Sequence, residues 1–88
     1  MSPIKIAAIA TSAFRKANNA KSFIAAIQKQ TKISVQIIPQ REEGEIAFFS
    51  ALASGEFYPK EVVVWDIGTG SLQMTTMNAN EELSVYMG

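Results

Sequence analysis

The sequence predicts an α/β fold with the element order β-α-β-α-β and an appended antiparallel hairpin. Three observations predict it. Isoleucine- and valine-rich runs at 4–11, 34–39 and 61–65 read as strands, and the stretches between them carry apolar residues at helical spacing. After residue 71 the apolar period falls to two, which is the signature of a hairpin.

The first strand, "IKIAAIAT" (4–11), ends in small polar residues that suit a turn. Asn18 and Asn19 are N-cap candidates for a helix whose Ala20, Phe23, Ile24 and Ile27 form one apolar stripe. "SVQIIP" (34–39) is a short strand stopped by Pro39. A second helix runs from about 41 to 54, with Ile46, Phe49 and Ala53 on one side, Phe48 and Leu52 beside them, and Gly55 after the C-cap. Glu42, Glu43 and Glu45 fall in its first turn, where the helix dipole favours negative charge. "EVVVW" (61–65) shows no polar alternation, so it is expected to be a central parallel strand buried on both faces. Leu72, Met74 and Thr76 then alternate with Gln73, Thr75 and Met77, "NAN" turns the chain, and Leu83, Val85 and Met87 return it.

Composition bounds the chemistry. A chain of 88 residues makes at most one small domain, burying about 60–65% of its unfolded surface. At 48% hydrophobic and 18% charged residues it is too apolar for disorder. Eight basic and eight acidic residues cancel, so no long-range positive field gathers nucleic acid or an anionic membrane. The absence of cysteine and histidine excludes disulfides, thiolate and imidazole metal sites, and Ser-His or Cys-His catalysis within this chain. No apolar run reaches the length of about 20 residues that spans a bilayer. "KIAAIATSA" imitates a leader, but Phe14, Arg15 and Lys16 follow it directly, and the chain reads as cytoplasmic.

"VVVWDIGTGS" (62–71) delivers Asp66 and two glycines to a turn at a strand end, where open α/β sheets place ligands. Gly68 and Gly70 permit positive φ and remove side chains, so successive amides could converge on phosphate oxygens; a simple tight hairpin turn is the competing reading. No Gly-Lys-Ser/Thr follows, so the turn is not a P-loop, and the strand-like continuation is not a Rossmann turn. Asp66 is a hard oxygen donor suited to magnesium or calcium. Glu43 could orient a water for attack on phosphorus, or belong to a solvated helix start. Arg15 could clamp phosphate with its planar fork, or cover Phe14 at the surface.

Read together, "ATSAFRKANN…F" (10–23), "VQIIPQREEGEI" (35–46) and "VVVWDIGTGSLQM" (62–74) resemble the exopolyphosphatase and guanosine pentaphosphate phosphatase (Ppx/GppA) family, over nearly the whole chain and in the family's order and spacing. The resemblance implies part of an actin-like, ribonuclease-H-like ATPase fold, whose two lobes enclose a phosphate cleft. Residues 1–60 then correspond to the C-terminal part of the first lobe and 61–88 to the start of the second, so the chain is expected to be a fragment of a longer protein. By the same resemblance Glu43 is the general base, Asp66 the metal aspartate, Gly68, Thr69, Gly70 and Ser71 the phosphate loop, and Arg15 a phosphate-binding arginine. The implied cofactor is Mg2+ or another divalent cation, without a complete site in these residues. The implied partner is a polyphosphate or guanosine polyphosphate substrate. No nucleic acid or membrane partner is expected, and exposed strand edges allow self-association.

This chain departs from the family pattern at four positions. Thr69 replaces a glycine, Gln73 stands where many members carry glutamate, and Gly44 and Glu45 replace alanine and arginine. Missing carboxylate at 73 admits a second reading, a binding or regulatory relative with weakened hydrolysis. An actin-like kinase or ATPase lobe would share the glycine turn but leaves "TSAFR" and the paired glutamates unexplained.

Overall fold

The computed structural model describes residues 5–88. The chain forms two compact units, Met1–Ile38 and Pro39–Gly88.

In the first unit, β1 (Ala8–Ala10) pairs in parallel with β2 (Val35–Ile37), Ile9 opposite Gln36. The first strand is shorter than its apolar run, and Ile4, expected to open it, lies outside the described residues. Two helices connect the strands. The sequence marks one of them, α2 (Ala20–Thr31), and misses α1 (Ser12–Lys16), whose small opening residues look like a turn. Ala17 separates the two helices by adopting extended backbone, with φ −77° and ψ 133°.

Asn19 is the N-cap of α2, but its side chain makes no capping bond; the Ser22 hydroxyl instead donates to the Asn19 carbonyl at 3.0 Å. Ala20 is buried and Ile24 and Ile27 half-buried, while Phe23 leaves the expected stripe and meets the Phe14 ring at 5.8 Å. Lys32 ends the helix in the left-handed region, φ 61°, its N–H bonded to the Gln28 carbonyl at 2.8 Å.

In the second unit, α3 (Gln40–Ala53) lies on a three-stranded antiparallel sheet of β3 (Val63–Ile67), β4 (Leu72–Met77) and β5 (Leu83–Met87), in the order β3-β4-β5. Its buried row is Gly44 and Phe48, with Leu52 half-buried one turn further on. Ile46 and Phe49, expected to lead the buried side, are 44% and 54% exposed. The helix has apolar residues around most of its circumference, so spacing alone does not select the buried row; the close approach that Gly44 permits does. Gly55 follows the C-cap as expected, yet no glycine takes a positive φ; Ser54 and Gly55 donate to the last carbonyls.

The reading of 61–65 as a central parallel strand is corrected. β3 is an edge strand, antiparallel to β4, with Val64 and Asp66 half-buried and Val63, Trp65 and Ile67 exposed. Its unbroken β-branched run imitates two-sided burial, but only one face is covered by α3. The hairpin of β4 and β5 matches the alternating pattern in sequence. Its turn is held by Asn78, whose Oδ1 accepts the N–H groups of Asn80 and Glu82 at 2.9 and 3.0 Å.

Candidate functional site

The second unit brings several of the expected site residues to one end of its sheet. β3 ends in Asp66 and Ile67, the turn 68–71 follows, and β4 begins at Leu72. Asp66 stands directly opposite Gln73, so their side chains share the face that α3 covers. The turn is closed by the Gly68 N–H donating to the Ser71 carbonyl at 3.0 Å. Gly68, Thr69 and Gly70 are exposed and Ser71 is half-buried.

Neither glycine of this turn takes positive φ, so an amide nest built on left-handed glycines is not formed. What Gly68 supplies is room: a Cβ there would lie 3.3 Å from the Ser71 carbonyl oxygen. The turn is thus a tight hairpin connection that leaves its tip open to solvent.

α3 starts over this same end. The Gln40 amide Nε2 donates to the carbonyls of Leu72 at 3.3 Å and Gly88 at 3.2 Å. Four residues on, Gly44 lies against Gln73, Thr75 and Val85, and the Thr75 hydroxyl donates to the Gly44 carbonyl at 3.1 Å. Glu43, half-buried, sits between these two anchored points in the first turn, its N–H bonded to the Pro39 carbonyl at 3.1 Å. Glu42 and Glu43 complement the dipole in the first turn as expected, whereas Glu45 falls beyond it, because the helix starts at Gln40, and pairs with Arg41 at 3.7 Å.

Arg15 belongs to the first unit. It lies in α1, half-buried, and its Nη1 donates to the Ile38 carbonyl at 3.0 Å, tying the helix to the end of β2. One donor of the guanidinium fork therefore has an internal task.

Gln73 is fully buried, and neither its Nε2 nor its Oε1 has a hydrogen-bond partner among the described residues. A buried unpaired amide is costly, on the order of 1–3 kcal/mol. Among the described residues no cluster of three acidic side chains could hold a metal. Asp66 is half-buried, and the side chain opposite it, Gln73, is neutral. Sequence reasoning did not single out Gln40. Its partners lie 32 and 48 residues away, and nothing local distinguishes it from an ordinary helix residue.

Among the described residues no helix is long and apolar enough to cross a membrane. No curated protein and no solved structure matches the chain. The model of the Ppx/GppA phosphatase family matches residues 1–88. With that match over its whole length, joined to a mixed α/β architecture, the chain belongs to the Ppx/GppA phosphatase family.

Proposed function

We propose that the protein carrying this chain hydrolyses terminal phosphoanhydride bonds of inorganic polyphosphate or guanosine pentaphosphate. One observation supports this beyond family membership: the first turn of α3 is anchored at the sheet end where Asp66 and the glycine turn lie. In this reading the Glu43 carboxylate takes a proton from water as the water oxygen bonds to the terminal phosphorus, and the bridging P–O bond breaks with its electron pair leaving on the shortened chain. The turn 68–71 receives phosphate oxygens, and Arg15 is assigned to phosphate binding by the family resemblance alone. Asp66 would hold magnesium, which neutralises charge on the phosphoryl oxygens. Residues 1–60 would close the first lobe of an actin-like fold and 61–88 open the second.

The test is phosphate release by the full-length protein from each substrate in magnesium. Glu43→Gln is expected to slow release by about 100-fold or more. No release from either substrate would refute the reading.

A specific observation favours a second reading, a phosphate-binding relative with weak hydrolysis: Gln73 puts a neutral amide opposite Asp66. A large gain in turnover from Gln73→Glu would support it, and unchanged turnover would favour a working enzyme.

A further inference from the structure

The geometry points to Gln40 as a positioning residue for Glu43, an inference that rests on Glu43 being the base. Helix starts are usually fixed by a side chain that caps the first free amides. α3 has none, because its N-cap is Pro39 and no side-chain cap bond is made. The Gln40 amide supplies a different anchor. It reaches out of the helix to the carbonyls of Leu72 and Gly88, at 3.3 and 3.2 Å.

Those two residues are themselves a bonded pair. Gly88 N–H donates to the Leu72 carbonyl at 2.9 Å and Leu72 N–H to the Gly88 carbonyl at 3.2 Å. Each carbonyl has a second lone pair available for Gln40. The pair closes the β4–β5 ladder next to Ser71, so Gln40 fastens the helix start to the base of the glycine turn. Gln40 and Gly44 are one turn apart on the same helix face, and Gly44 is fixed by its contact with β4 and β5. Glu43 lies between these two points. Arg41 Nη2 also ties the opening turn to the sheet, donating to the Leu83 carbonyl at 3.0 Å, but at the end of β5 away from the glycine turn. Releasing Gln40 lets the helix start shift at the glycine-turn end, and a displacement of about 1 Å at a reacting group is enough to cost about 100-fold in rate.

The experiment is steady-state kinetics of the full-length protein with inorganic polyphosphate in magnesium. Gln40→Ala is expected to lower kcat by about 10-fold to 100-fold with KM little changed. Gln40→Lys, which keeps donors on a long stem, is expected to recover most of the loss, and Gln40→Met, which keeps the stem alone, is not. In a Glu43→Gln background Gln40→Ala should have no further effect on kcat. If Gln40→Ala does not fold, the comparison of Lys with Met carries the same test. Unchanged kcat in Gln40→Ala, or an undiminished effect in the Glu43→Gln background, overturns the inference while leaving the proposed function in place. Full turnover by Glu43→Gln alone overturns the assignment of the base and this inference with it.

Discussion

Placing alanine at residue 44, where the resemblance in sequence expects it, should destabilise this protein. Built on the Gly44 backbone, a Cβ would lie 2.6 Å from Val85 Cγ1, 3.0 Å from Thr75 Oγ1 and 3.3 Å from Gln73 Cβ. Alanine gains about 1 kcal/mol of helix propensity over glycine. Against that stand overpacking, about 1–3 kcal/mol, and a weakened bond from Thr75 to the Gly44 carbonyl, about 1 kcal/mol. Valine cannot yield cheaply, because its χ1 is stiff. The balance is a loss of about 1–3 kcal/mol. With m of about 1–2 kcal/mol/M, the urea midpoint followed by circular dichroism should fall by about 1 M. Adding Val85→Ala should recover part of the loss, because it empties the space the new methyl needs. A midpoint that stays or rises in Gly44→Ala would refute the close approach of α3 to the sheet.

Four further outcomes are expected. Gln73→Met should raise stability by about 1–3 kcal/mol in urea unfolding, because it removes a buried amide with no partner among the described residues, whereas Gln73→Glu should lower it by burying a carboxylate beside Asp66. Glu81, held at φ 64°, is expected to gain about 0.5–1 kcal/mol on replacement by glycine, since its ion pair with Lys60 is solvent-exposed at 3.8 Å; a lower thermal midpoint would contradict this. Trp65→Thr should change folding stability little, because the ring lies on the uncovered sheet face, and a large fall in the urea midpoint would show that face to be packed.

Much of the fold is legible in the sequence because its signals are local. Pro39 stops β2 and stands as the N-cap of α3, and the alternation at 72–77 marks β4. The failures are of longer range. Whether Val62 to Trp65 are covered on one face or two depends on partners that a run of valines does not specify. α3 offers several apolar rows, and the choice among them is made at Gly44 by strands about 30 or more residues away. For the candidate site, motif spacing leads to Glu43, Asp66 and the glycine turn. It does not lead to Gln40, whose part is visible only once Leu72 and Gly88 stand beside it.

The open outer face of β3 also equips the protein with an optical probe. Trp65 is its single tryptophan, and the indole is 57% exposed one residue before Asp66. Anything that shields that face, or shifts the strand as a ligand settles beside the neighbouring carboxylate, changes the polarity around the ring. Intrinsic emission can therefore follow such events in unlabelled material.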